Sequence, residues 1–398
     1  MKKGQVKSMR GGLAQLPIVV TFLIGLAGCQ TDDLKPTEAD KAAAGGAAAT
    51  AVAVSNTGLY NQTLGAGSVR IGYLGVRRND QPSRQADSEY RDGAALAVNS
   101  LGTQQVKLTM LETQEKPEAI EAAAKSLASQ NIGLLITTAR GPEFEAIKRT
   151  FGDRQIPVIS FQMNDATLPP DVFSFVSSPV DGLVEGASFA MAEGSTHAVI
   201  LASSPAEKIE AERIARQIKA FGGTVEPIIE VAGGQVPAKQ LAAWNKADMV
   251  VLMPGVKSPG DVLKKTDLAK PPRPGRRVVA STVLTAADLS DPKMTGAIVC
   301  RYDQNIQARI GKSYMTSYGM PASTQAGYGF DAMAMAVGLV NTYGDDAFLV
   351  DRMTAPEGFS GSLGVFRLEE GGKVRRNCDI FKVAKGSYVF FQRAPATL

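Results

Sequence analysis

Histidine is almost absent: the 398 residues contain one, His197, alongside three cysteines and a single tryptophan. A solitary histidine just ahead of a predicted strand, with no paired aspartate and nucleophile, does not make a triad hydrolase. No histidine–cysteine cluster has metal-ligand spacing, so neither a metal nor another cofactor is expected. Gly311-Lys312-Ser313 ends like a phosphate-binding loop, but Ile306 stands where that loop needs its first glycine. Gly358-Phe359-Ser360-Gly361 fails the nucleophile-elbow pattern, because Ser362 replaces the final glycine. With these signatures missing, no enzymatic activity is expected.

The first 28 residues lack acidic side chains but carry Lys2, Lys3, Lys7 and Arg10. An apolar run from Leu16 to Leu26 follows, well short of the roughly 20 residues that span a bilayer. A basic start, a short apolar centre and small residues before a cleavage point make an export signal. Leu26-Ala27-Gly28-Cys29 resembles the bacterial lipoprotein box, which implies lipidation of Cys29 as first residue of the mature chain. Gln30 in place of aspartate implies sorting to the outer membrane, facing the periplasm. Removing the leader takes away four of the 43 basic residues and leaves 39 against 39 acidic ones. A neutral mature chain gives no reason to expect nucleic acid as partner. Residues 29–67 are rich in Ala, Gly, Thr and Asn without apolar periodicity, and are expected as a flexible tether with a mean reach of roughly 35 Å.

The remainder alternates short apolar strands with amphipathic helices, the pattern of an α/β protein with mostly parallel sheets. Its clearest unit runs from Asn131 to Asn164. Ile132–Ile136 reads as a strand buried on both faces, Glu143–Phe151 as a helix with Phe144, Ile147 and Phe151 inward, and Gln155–Ser160 as a second strand. Short connections make such strands parallel, and the loops leaving their carboxyl ends face the ligand crevice. Lys264–Arg277, basic and rich in proline, reads as a surface loop. The end, from Gly364 to Phe391, reads as antiparallel strands around a Gly371-Gly372 turn. More than 300 residues after the tether exceed one ordinary core, so two lobes are expected.

The lipoprotein leader, the βα repeat, Tyr328-Gly329-Phe330-Asp331-Ala332 at a helix start and Gly358–Phe366 near the end together resemble the type I periplasmic-binding fold, in its leucine/isoleucine/valine-binding branch. The similarity spans roughly Val69–Phe391. It implies two Rossmann-like lobes joined by three crossovers, placed near 177–179, 299–302 and 355–361. Lobe 1 would comprise residues 68–178 and 303–357, and lobe 2 residues 179–302 and 358–398. The branch grips an amino-acid head group with Ser/Thr and backbone amides after the third and fourth strands. Here those loops offer Thr137, Thr138, Arg140, Gln162 and Asn164, with Ser160 at the end of the fourth strand. Arg77, Ser203, Tyr302 and Tyr328 complete the expected cleft, with Arg77, Arg78 and Arg140 as candidate anion clamps. Cys300 and Cys378, both near crossovers, can pair in an oxidising compartment and restrain lobe closure.

Within the branch, the lipobox, Asp248–Gly255 and the segments Gly361–Arg367 and Phe381–Ala384 resemble penicillin-binding-protein activators, lipoproteins that contact a peptidoglycan synthase. The favoured expectation is therefore a non-catalytic envelope regulator of peptidoglycan synthesis. The alternative is the substrate-binding component of a branched-chain amino-acid ABC transporter, with an amino-acid-like ligand.

Overall fold

The structure, a computed structural model, describes residues 53–54, 59–151, 154–163, 169, 171–231, 234–302 and 306–397. The leader, Cys29 and Asn164 lie outside these residues.

The first sheet is built from β1 (Ala53–Val54), β2 (Tyr60–Leu64), β3 (Val69–Arg77), β4 (Val106–Gln114), β5 (Leu134–Thr137), β6 (Val158–Met163) and β7 (Val172–Val176). Their order is β1-β2-β4-β3-β5-β6-β7. From β4 to β7 every pairing is parallel, whereas β2 runs antiparallel along β4. β2 corrects the expectation of a tether reaching residue 67: Tyr60 and Leu64 bury their side chains in the core, which holds the segment as a strand. The crossover helices are α1 (Gln81–Ala97), α2 (Pro117–Ala128) and α3 (Glu143–Phe151). α3 keeps the bounds read from the sequence, with Phe144, Ile147 and Phe151 buried. β6 starts only after Pro157, whose ring nitrogen has no proton for a ladder.

The second sheet has the order β10-β8-β11-β12-β13-β17-β18. Its strands are β8 (His197–Ala202), β9 (Thr224–Val225, on β8), β10 (Ile229–Glu230), β11 (Met249–Leu252), β12 (Arg277–Ala280) and β13 (Ile298–Arg301). Helices α4 (Pro179–Ala192), α5 (Pro205–Ala220), α6 (Leu241–Lys246), α7 (Pro259–Ala269) and α8 (Ala286–Ser290) connect them. Pro227 splits what reads as one strand, 225–231, into β9 and β10. α7 corrects the loop expected over 264–277: Val262, Leu263 and Thr266 are buried on one face, so the helix runs to Ala269 before the prolines stop it.

The chain then returns with α9 (Lys312–Tyr318), α10 (Thr324–Tyr343) and α11 (Val350–Met353), which cover the first sheet. α10 lies so close to α1 that a Cβ on Gly93 would stand 2.0 Å from the Ala326 carbonyl oxygen, and one on Gly329 2.0 Å from that of Tyr90. This reciprocal contact is the physical reason for glycine within Tyr328-Gly329-Phe330-Asp331. The tail forms β14 (Phe359–Gly361), β15 (Gly364–Glu369) and β16 (Lys373–Arg376), a separate three-stranded sheet, before β17 (Asp379–Ala384) and β18 (Ser387–Gln392) close the second sheet.

That small sheet corrects two expectations. Leu363, Phe366, Leu368 and Val374 join the apolar core of the first lobe, so 359–376 does not belong with the second. The third crossover is accordingly at Asn377–Cys378, between β16 and β17, and not at 355–361. The cause is burial: Phe366 meets Phe175 edge-on at 5.1 Å, and the apolar side chains of β15 and β16 have no other partner layer.

Candidate functional site

The polar groups that end the strands of the first sheet are turned on one another. Thr138 accepts a hydrogen bond from the Val76 amide through its Oγ1 (2.8 Å) and one from Arg78 Nη2 through its carbonyl (2.9 Å). Arg78 is buried and pairs with Glu143, and with Glu115 at 2.9 Å. Ser160 donates through Oγ to the Ala139 carbonyl at 2.9 Å, and the Gln162 Oε1 accepts from the Gly141 amide at 3.1 Å. The Arg140 amide donates to Glu143 at 2.8 Å while its side chain stays exposed. Arg77 faces Glu112 at 4.0 Å at the end of β3. On the other lobe Ser203 gives its amide (2.8 Å) and hydroxyl (2.7 Å) to Glu207. These predicted cleft residues therefore hold loops, and the structure does not gather them around one cavity. Asn164 falls outside the described residues.

Tyr302 and Tyr328 are brought together. They line a cavity of about 250 Å3 between the lobes, with Tyr90, Ser177, Thr324 and Gln325. The sequence reading missed those four; the cap residues ahead of two long helices were the available signal. α4 begins beside the cavity behind its cap Ser178, and α10 behind its cap Ser323. The positive ends of both helices therefore face the same space. Tyr328 accepts a hydrogen bond from the Ser177 amide at 3.2 Å, which leaves its own hydroxyl proton for a further acceptor. The Ser177 Oγ and the Tyr302 hydroxyl are buried and have no hydrogen-bond partner. Burial pushes the Tyr302 phenol well above its usual range, so it stays protonated and can donate. Among the described residues no charged side chain lines this cavity.

Beneath it lies the hinge. Arg376 is fully buried against Asp331 at 2.7 Å, with its guanidinium 4.5 Å from the Phe366 ring centre, 5.1 Å from Tyr328 and 5.5 Å from Phe175. Asp331 also accepts from the amides of Ser362 and Leu363, and a Cβ on Gly361 would collide with its carboxylate. One buried carboxylate thus fastens α10 to the tail. Cys300 and Cys378 form a disulfide with Cα atoms 5.5 Å apart, joining β13 and the start of β17 where two crossovers leave the second sheet.

His197 stands at the start of β8, its Nδ1 3.0 Å from the Thr196 hydroxyl. Among the described residues no cluster of His, Cys, Asp or Glu is placed to hold a metal, and no helix is long and apolar enough to cross a membrane.

Comparison with known proteins adds the family. No curated protein matches by sequence. Among solved structures, one from Rhodospirillum rubrum assigned to a branched-chain amino acid ABC transporter is 14% identical, with a TM-score of 0.63 over 81% of this chain and 99% of its own. A periplasmic ligand-binding protein of a branched-chain amino acid ABC transporter from Burkholderia xenovorans is 15% identical, with a TM-score of 0.54 over 83% and 95% of the two chains. A substrate-binding protein from Desulfitobacterium hafniense, solved with Leu, is 16% identical, with a TM-score of 0.51 over 82% and 100%. These likenesses agree with two lobes on mostly parallel sheets. The sequence model of the periplasmic binding protein family matches residues 68–387, and the chain belongs to that family.

Proposed function

We propose that the cavity between the lobes binds a small carboxylate-bearing solute and that the chain is the solute-binding component of an ABC uptake transporter. The observation that carries this is the pair of unpartnered hydroxyls, Ser177 and Tyr302, in a cavity faced by two helix N-termini. A buried hydroxyl without a partner costs about 1–3 kcal/mol, and a ligand oxygen would relieve that cost. A carboxylate suits the site because the helix ends favour negative charge and, among the described residues, no acidic side chain lines it. About 250 Å3 suits a ligand the size of one amino acid or one benzoate. Calorimetric titration of the mature, unlipidated chain with leucine, valine, benzoate and 4-hydroxybenzoate tests the reading. Saturable binding that weakens roughly tenfold in Tyr302→Phe supports it; no binding by any of these carboxylates refutes it.

A second reading is the envelope partner of penicillin-binding-protein activator type. It draws on the first-lobe loops, where Thr138, Ser160 and Gln162 are already engaged with neighbours and not offered to a head group. Retention of a purified peptidoglycan synthase by the immobilised chain would favour this role over uptake. In both readings residues 1–28 are removed and Cys29 carries the lipid at the outer membrane. Cys29→Ser should then release the chain from membranes into the soluble periplasmic fraction.

A further inference from the structure

A second cavity, of about 330 Å3, lies on another side of the hinge, between α4 and α5 of the second lobe and β15–β16 of the small sheet. Five basic side chains line it: Arg213, Arg216, Lys373, Arg375 and Arg376. Its three acids are each matched by an arginine. Asp181 pairs with Arg213, Glu185 with Arg375 at 2.9 Å, and Glu369 with Arg367 at 3.0 Å. Arg376 at the floor has Asp331 at 2.7 Å, yet its Nε and Nη2 make no hydrogen bond. Arg216 on α5 and Lys373 on β16 are both exposed, and neither has an ion-pair partner among the described residues. Two unmatched positive charges thus remain, one from each side of the cavity.

We propose that this cavity is a second ligand site, taking a phosphate-class dianion that Arg216 and Lys373 hold from opposite walls. The charge decides the class. A phosphate monoester carries about −1.5 to −2 at neutral pH, which matches the two unmatched cations. Its tetrahedral oxygens also reach donors on separate walls, whereas a planar carboxylate is best met by one arginine fork. Because Arg216 stands on the second lobe and Lys373 on the sheet packed against the first, a bound dianion bridges the lobes beside the Arg375–Glu185 pair. This site is independent of the carboxylate pocket and of any reading of it.

Titration calorimetry of the mature, unlipidated chain with sodium phosphate, at fixed ionic strength near ~0.15 M, tests the proposal. The expected result is one saturable site per chain, weakened roughly tenfold or more in Arg216→Gln/Lys373→Gln and unaltered in Tyr302→Phe. Absence of saturable binding, or an unchanged Kd in the double variant, overturns it. Both substituted residues are exposed, so circular dichroism of the double variant should be unaltered. Sedimentation with vesicles containing phosphatidic acid, whose headgroup is a phosphate monoester, separates the two sources of phosphate. Vesicle binding that phosphate displaces and the double variant loses identifies a lipid headgroup; no vesicle binding, with phosphate bound in solution, identifies a soluble anion.

Discussion

Asp87 on α1 carries both carboxylate oxygens buried and without a hydrogen-bond partner, and burial raises its pKa from 3.8 to about 7. Arg140 and Arg78 oppose the rise, while Glu112 and Asp80 add to it. The folded pKa lies above the unfolded one, so the folded state binds the proton more tightly. The contribution of Asp87 to stability is therefore greatest in acid and declines as pH climbs from about 4 to about 7. At ~1.36 kcal/mol per unit, the raised pKa of Asp87 costs about 1.6 kcal/mol at pH ~5 and about 4 kcal/mol at pH ~8. Asp87→Asn should remove this slope. The gain of the variant over the parent should grow by roughly 2–3 kcal/mol between those pH values, and any constant cost of the new amide cancels in the comparison. With an unfolding entropy of about 2.1 cal/mol/K per residue over this fold, that is a differential shift in Tm of roughly 3–4 °C. Thermal melts of both proteins at four pH values provide the assay. Parallel Tm curves from pH ~5 to pH ~8 would refute the argument, because they would mean that Asp87 finds a partner or reaches solvent.

The disulfide between Cys300 and Cys378 closes a loop with a sequence separation of 78, so chain entropy assigns it about 4–5 kcal/mol. Cys300→Ser/Cys378→Ser should lower the urea midpoint accordingly, and the oxidised parent should show no free thiol at these positions. Asp331→Asn leaves Arg376 buried without its counter-charge and weakens two amide contacts to the tail. A loss of about 3–5 kcal/mol is expected in urea unfolding, with a protease-sensitive tail. Tyr302→Phe removes a hydroxyl that has no partner, so its melting point should stay level or rise while carboxylate binding falls.

The order of strands and helices was legible in the sequence because burial on both faces of a parallel strand produces unbroken apolar runs such as Leu134–Ile136. α3 stands where its periodicity places it, since it packs one apolar face on its sheet. Three-dimensional placement was less accessible. The segment 359–376 has the alternation of any antiparallel tail, and only the apolar layer offered by Phe175 and Tyr328 decides which lobe receives it.

The site divides along the same line. Tyr302 and Tyr328 could be named from their positions near crossovers, but Ser177 and Gln325 reach the same cavity only because two helices begin there. Thr138, Ser160 and Gln162 have the right residue types at the right strand ends, yet each spends its hydrogen bonds on a neighbouring loop. A sequence states which groups can donate and accept; it does not state which of them are already satisfied. The sequence by itself determined the alternation of elements through periodicity and the expectation of two lobes through chain length, while its motifs carried the family resemblance. Tertiary structure alone decided which hydroxyls face the cavity without partners, which lobe holds the tail and where unmatched charge collects, because those depend on distances between segments far apart in the chain.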